Sequence, residues 1–341
     1  MINSDLCHSL LTRKTVPALG YHADLEFTRW KTEVGEKFIS LTGLDLIAEN
    51  ACAPNFRIVE EKQKEGYKQL RFEFESEVGE IVPCYLLIPE QGKKKYPVAI
   101  TMQGHSTGVH NSIGEPKNEE EKEYALGRGR FAVQAVQRGF IALAIEQRGM
   151  GERKPTREER GSDMNCRYAS MTALHLGRTL IGERVWDISR AIDMLSRFPE
   201  CDTEKILITG NSGGGTIAYY AACYDERIKI SVPSCSFCSY KASILDILHC
   251  NCNYIPSAYR YFEMQDLSCL IAPRALAIVA GEKDDIFPIE GVKEGYETVR
   301  KIYARANGEE NCRLVITPMH HWWCEEIVWN EIEAICNKLG W

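Results

Sequence analysis

KILITGNSGGGTIAYYAACYD, residues 205–225, opens as an apolar strand-type run at Ile206 to Thr209, then turns through Gly210-Asn211-Ser212-Gly213-Gly214-Gly215. From Thr216 to Tyr224 it continues as a small-residue helical segment. A strand, a tight turn and a helix with a G-x-S-x-G serine at the apex is the pattern of a nucleophile elbow. There the glycines leave room for a strained turn that lifts the serine oxygen clear of the sheet. Ser212 is therefore the candidate nucleophile. A phosphate-binding loop would need Gly-Lys-Ser/Thr at its end, and Gly214-Gly215-Thr216 has no lysine. A dinucleotide fingerprint, G-x-G-x-x-G near the chain start with an acid about 20 residues on, does not fit either.

Strand and helix patterns alternate around the elbow. Val98 to Met102, Phe140 to Ile145, Ile228 to Val232, Ala275 to Ala280 and Leu314 to Thr317 are short apolar runs. Helical patterns at Glu119 to Arg138, Val185 to Phe198, Val292 to Ala304 and Glu325 to Leu339 separate or follow them. Continuous apolar strands between helices predict an α/β fold with a mostly parallel sheet covered on both faces. Upstream, Phe56 to Ile88 alternates with period two and predicts antiparallel edge strands, with Pro83 tolerable at an edge. One amphipathic helix is expected over Asp24 to Leu41, its face formed by Leu25, Trp30, Val34, Phe38 and Ile39. The organisation that follows is an N-terminal helical extension over 1–55 and a main domain over 56–341. Within the latter, the Tyr- and Cys-rich stretch 235–270 is a cap insertion past a strand's carboxyl end, with Tyr254, Tyr259, Tyr261 and Phe262 as candidate substrate-binding walls.

The 341 residues suffice for one large core, and 44% hydrophobic with 26% charged residues is ordinary for a globular protein. A net charge of −7 argues against nucleic-acid and anionic-membrane partners, and Lys93-Lys94-Lys95 reads as the solvated start of a strand. No apolar run is long enough for a signal peptide or a membrane span, so a cytoplasmic location is expected. The 14 cysteines then read as reduced packing thiols. Cys235, Cys238, His249, Cys250 and Cys252 contain enough soft ligands for zinc, but one residue between Cys250 and Cys252 is poor spacing, so no metal is expected.

A serine needs a base to take its proton and an acid to orient that base. After an elbow of this kind the acid and base come later, in the order Asp, His. Gly281-Glu282-Lys283-Asp284-Asp285 follows one strand, and Pro318-Met319-His320-His321-Trp322-Trp323 follows the last. Both lie downstream of Ser212 in the required order. Either aspartate, Asp284 or Asp285, and either histidine satisfies the pattern.

From Phe56 to Trp341 the chain resembles the dienelactone hydrolase and acetyl xylan esterase branch of the α/β-hydrolases. The resemblance is carried by Gln103-Gly104-His105, Arg148-Gly149-Met150-Gly151-Glu152-Arg153, Ala272-Pro273-Arg274, GEKDDIFP (281–288) and HHWW (320–323). It implies Asp284 as the acid, three residues after the strand-end Gly281 and four before Pro288. It implies His321 as the base, because the family's later aromatic then falls on Trp329. It also implies an oxyanion hole from the N–H groups of His105 and Gly213, with Gly104-His105-Ser106-Thr107-Gly108 as the oxyanion loop and not a second elbow. Dienelactone hydrolases use cysteine at the elbow, so Ser212 points toward the esterases. Acetyl xylan esterases of the hexameric type carry Gln after the elbow serine, where this chain has Gly213. The activity implied is a cofactor-free serine carboxylesterase acting on small acyl esters, acetyl esters of carbohydrates foremost. Its partners would be the ester substrate and copies of the chain itself. A peptidase of the prolyl-oligopeptidase type and a catalytically silent binding protein on the same fold are the alternatives.

Overall fold

The computed structural model describes residues 5–155 and 165–341. Nine strands form one sheet: β1 (Arg57–Lys64), β2 (Tyr67–Glu77), β3 (Glu80–Pro89), β4 (Tyr96–Met102), β5 (Ile141–Ile145), β6 (Cys201–Asn211), β7 (Ile228–Ser234), β8 (Ala275–Gly281) and β9 (Cys312–Thr317). Their order is β1-β2-β3-β5-β4-β6-β7-β8-β9. β1, β2, β3 and β5 pair antiparallel in succession, and every pairing from β5 through β4 to β9 is parallel. This is the expected α/β architecture. The solvent-facing edge strand β1 is exposed over Arg57 to Glu61, and its charges discourage pairing with another chain.

Alternate residues of the parallel strands feed two cores. Ile141, Leu143 and Ile145 of β5, Ile206 and Ile208 of β6, and Leu276 and Ile278 of β8 face one side. There they meet α2 (Phe27–Thr42), α7 (Leu180–Met194), α8 (Gly213–Tyr224) and α10 (Ile289–Arg305). Ala142, Ala144, Leu207, Ala277 and Val279 face the other side, against α5 (Phe131–Gln137) and α11 (Glu325–Leu339). Strands buried on both faces read as continuous apolar runs, which is why they were legible. The shorter helices are α1 (Asp5–Lys14), α3 (Leu44–Glu49), α4 (Glu119–Arg128), α6 (Asn165–His175) and α9 (Ser268–Ile271).

The N-terminal helix forms where its periodicity places it. In α2, Trp30, Val34 and Phe38 recur every fourth residue on the buried face, each burial contributing about 1.5–3 kcal/mol. The Glu26 carboxylate caps its start by accepting the N–H groups of Thr28 and Arg29 at 3.0 and 2.7 Å. Gly43, at φ 73°, ends it in the left-handed region. Phe38 stacks on Tyr220 of α8 at 5.8 Å, tying this segment to the helix behind the elbow.

Two expectations need correction. The single helix over Glu119 to Arg138 is two helices, because Arg130 takes φ 57° and donates its N–H to the Asn111 carbonyl, breaking the ladder. β3 is not an edge strand, since β5 covers its other side. Pro83 is accommodated differently. The Glu146 N–H donates to the Pro83 carbonyl at 3.0 Å, and the return bond that proline cannot make is replaced by Arg153 Nη1, which donates to the Glu146 carbonyl at 2.9 Å.

The Arg148-to-Arg153 motif thereby acquires a structural role. Arg148 donates to both oxygens of Asp187 at 2.8 and 2.9 Å, and Arg153 adds a third bond at 2.8 Å. Ser76 Oγ donates a fourth at 2.7 Å, and Glu77 pairs with Arg148 at 2.7 Å. Burial alone would raise the Asp187 pKa; the two guanidinium charges more than reverse this and hold the carboxyl well below the usual range. Removing one member leaves buried charge uncompensated. Asp187→Ala should therefore cost about 3–5 kcal/mol of unfolding free energy in urea titrations, while Glu33→Ala, which breaks the exposed Arg29 pair, leaves the midpoint unchanged.

Candidate active site

Every candidate catalytic group lies just past the carboxyl end of a parallel strand, where an α/β sheet opens its crevice. Ser212 joins β6 to α8 at φ 56°, ψ −125°, a conformation that costs a non-glycine residue on the order of 1–3 kcal/mol. The surroundings enforce it. Ser212 N–H donates to the Ser234 carbonyl at 2.9 Å, and its own carbonyl accepts from Thr216 N–H at 2.9 Å in the first turn of α8. A Cβ on either Gly210 or Gly214 would run into the Met102 carbonyl oxygen, so the turn and the end of β4 can approach this closely only through glycine.

The Gln103-Gly104-His105 loop lies against that turn. A Cβ on Gly104 would stand 3.2 Å from Ser212 Cβ, and one on Gly213 would stand 3.9 Å from the His105 nitrogen and 3.1 Å from its Nδ1. The backbones of His105 and Gly213 are thus neighbours beside Ser212. The loop is held from below by Glu146, a buried carboxylate that accepts the Val109 N–H at 3.1 Å, and by Gln147, which donates to the Gln103 carbonyl at 2.6 Å. Burial pushes the Glu146 pKa up. Ser106 is engaged with its own loop, its Oγ 3.4 Å from the Gly108 nitrogen, and only a three-residue 3₁₀ turn at Val109–Asn111 follows it.

Asp284 and Asp285 are separated by burial. Asp284 is buried, its Oδ1 accepting the N–H groups of Ile286 and Phe287 at 2.9 and 3.0 Å, and its Oδ2 faces His321 Nδ1 at 2.9 Å. Asp285 is exposed. The two histidines divide the same way, His321 half-buried and His320 exposed. Phe287 stacks on the His321 ring at 5.9 Å and 16°. Behind this loop Trp323 and Trp329 both donate to Gln134 Oε1 at 3.0 Å, anchoring the histidine segment on α5.

The sequence marks two neighbours only as candidate metal ligands, with nothing to place them beside Asp284 and His321. Cys235, just past β7, donates its thiol to the Trp322 carbonyl at 3.4 Å and has its Sγ within 4.8 Å of donor atoms of Asp284 and His321. Burial pushes this thiol up to about 12, which keeps it protonated and unreactive. His249 packs edge-on against Phe287 at 5.2 Å and bonds Ser243 Oγ at 2.9 Å, and burial lowers its pKa. Both come from the 235–270 excursion, which contains no strand and only short helical turns.

The aromatic candidates in that excursion go elsewhere. Phe262 is fully buried in the main core, so it cannot wall an open site. Tyr259 donates to the Thr12 carbonyl at 3.3 Å, and Tyr261 lies under Lys37 Nζ at 4.5 Å, so both are engaged by the N-terminal segment. Tyr254 is partly buried against the same core. A separate cluster is formed by His105, Cys166, Cys250 and Cys252, whose donor atoms all lie within 4.8 Å of one another. Cys238 is remote from it, donating to the Pro288 carbonyl at 3.6 Å.

Residues 4–228 match the Abhydrolase family. A Bacillus subtilis (strain 168) protein named "Putative hydrolase YtaP" is 28% identical over 241 residues, 70% of this chain and 76% of its own. A solved structure from Bacteroides fragilis NCTC 9343, described as a "putative acetyl xylan esterase", superposes with a TM-score of 0.82 at 18% identity, covering 98% of this chain and 95% of its own. A glucuronoyl esterase from Solibacter usitatus gives 0.67 at 14% identity, covering 95% and 97%. Among the described residues no helix is long and apolar enough to cross a membrane. With the family matched over most of its length and the sheet order and elbow described above, the chain belongs to the Abhydrolase family and is a hydrolase with the α/β-hydrolase fold.

Proposed function

We propose that the protein is a serine carboxylesterase that removes small acyl groups, acetyl foremost, from esterified carbohydrates. The observation that carries this reading is the 2.9 Å contact between His321 Nδ1 and an Asp284 carboxylate whose other oxygen is already held by two backbone N–H groups. An acid fixed in this way orients the imidazole and stabilises its cation, leaving Nε2 to take a proton. His321 accepts the Ser212 proton as Oγ attacks the ester carbonyl, and the N–H groups of His105 and Gly213 receive the developing oxyanion. The alcohol leaves with the proton from His321, and water, deprotonated by the same base, releases the acid from Ser212. The carbohydrate half rests on the likeness in fold to acetyl xylan and glucuronoyl esterases.

Hydrolysis of p-nitrophenyl acetate and of acetylated xylo-oligosaccharides, with no turnover of an aminoacyl-prolyl amide, is the expected outcome; the reverse preference would replace the esterase reading with a peptidase one. Within the same assay Asp284→Asn should lower kcat by about 10⁴, the scale on which a triad loses activity when its orienting carboxylate goes. Exposed Asp285→Asn should retain most turnover. Equal losses at both positions would remove Asp284 from the mechanism.

A further inference from the structure

We propose that His105, Cys166, Cys250 and Cys252 bind one zinc ion that pins the loop after β4 to the excursion after β7. His105 Nε2 lies 3.0 Å from Cys252 Sγ, Cys250 and Cys252 sulfurs lie 3.4 Å apart, and all four donor atoms fall within 4.8 Å. A tetrahedral zinc with Zn–S bonds of about 2.3 Å places its sulfurs about 3.8 Å from one another, so the cluster has the dimensions of a Cys₃His site. Its ligands come from three separate places: the loop after β4, the first turn of α6, and the Asn251–Asn253 turn with its flank. Their convergence compensates for the short Cys-x-Cys spacing, because the pair supplies only two ligands and two other segments supply the rest. All three cysteines are free of disulfides.

Charge gives a second, independent argument. Arg184 is buried at 2% exposure, and among the described residues no carboxylate lies within ion-pair distance of it. Its Nε and Nη2 donate to the Arg148 carbonyl at 3.1 and 2.7 Å, and Nη2 also reaches Cys166 Sγ at 3.4 Å. An uncompensated buried cation is costly, and three neutral thiols would leave it so. Zinc with three thiolates and a neutral imidazole carries one net negative charge, which matches the single guanidinium. Four protein ligands close the coordination sphere, so the ion is structural and takes no part in attacking the ester. Its consequence falls on position: the imidazole that would hold the metal belongs to the same residue whose main chain lies beside Gly213.

This inference replaces the expectation of metal-free thiols and does not depend on the esterase reading. Protein expressed with added zinc sulfate and dialysed should contain about one zinc per chain by elemental analysis. Cys250→Ser with Cys252→Ser should lose it, and Cys235→Ser with Cys238→Ser should keep it. Because the first pair of changes could unfold the protein, the wild-type chain is also stripped with chelator under reducing conditions and titrated with cobalt(II). One equivalent should produce thiolate-to-cobalt charge-transfer bands and the intense visible bands of tetrahedral cobalt, and zinc should displace both. Absence of zinc in the purified protein together with absence of these bands overturns the proposal. So does full zinc content in the Cys250→Ser, Cys252→Ser variant, or a disulfide between any two of the three cysteines mapped by mass spectrometry.

Discussion

Ser212→Ala should lower kcat for p-nitrophenyl acetate by roughly 10⁶-fold, the scale found when the nucleophile of a serine hydrolase is removed. Ser106→Ala, in the other G-x-S-x-G, should keep most of its activity. Both serines are half-buried, so accessibility does not separate them. Backbone geometry does: Ser212 is held at positive φ between a strand and a twelve-residue helix, whereas the Ser106 oxygen is spent on its own loop. A strained apex presents an oxygen to solvent, and a hydroxyl folded back on its loop does not. Steady-state kinetics on the two variants, with thermal melts to verify folding, checks this. A dead Ser106→Ala beside an active Ser212→Ala would exchange their roles.

The second large effect belongs to His321. His321→Ala should lower kcat by a similar factor of about 10⁶, because nucleophile and base act as a unit and losing either removes nearly the whole of their joint contribution. The variant should also lose labelling of Ser212 by a fluorophosphonate probe, since an unassisted hydroxyl is a poor nucleophile. His320→Ala should keep labelling and most turnover. The contrast follows from their setting: His321 contacts Asp284 at 2.9 Å and stacks on Phe287, while the adjacent His320 is exposed. Activity-based labelling read by gel fluorescence distinguishes the two. Labelling lost in His320→Ala and kept in His321→Ala would assign the base to His320.

Sequence periodicity made the inner parallel strands β4 to β8 legible because their apolar runs are buried on both faces, and burial on both faces leaves no polar alternation to interrupt the run, whereas the edge strand β9 is only partly covered. The elbow was legible because Gly210 and Gly214 are required by the approach of the Met102 carbonyl, a demand that leaves its mark in residue type. Where the reading went astray, the deciding partner lay far away in the chain. Pro83 suggested an edge because nothing near it reveals that Arg153 serves the carbonyl it leaves open. Tyr259 and Tyr261 suggested a substrate wall, and only the docking of residues 12 and 37 shows how they are engaged. The sequence groups Cys235, Cys238, His249, Cys250 and Cys252 by proximity along the chain, whereas the fold splits that group and brings in His105 and Cys166 from elsewhere.

Beyond its backbone contact with His105, Gly213 also lies under the imidazole, whose Nδ1 and Cε1 stand 3.1 and 3.2 Å from the point where a side chain at 213 would begin, closer than a Cβ ordinarily packs. Positions 105 and 213 therefore crowd one another. In a descendant lineage, a side chain acquired at 213 should require the His105 ring to give by a few tenths of an ångström, and the bulk of the two positions should vary inversely. A pair that trades volume across the elbow turn should leave a covariation signal of its own, separate from any constraint on the adjacent Ser212.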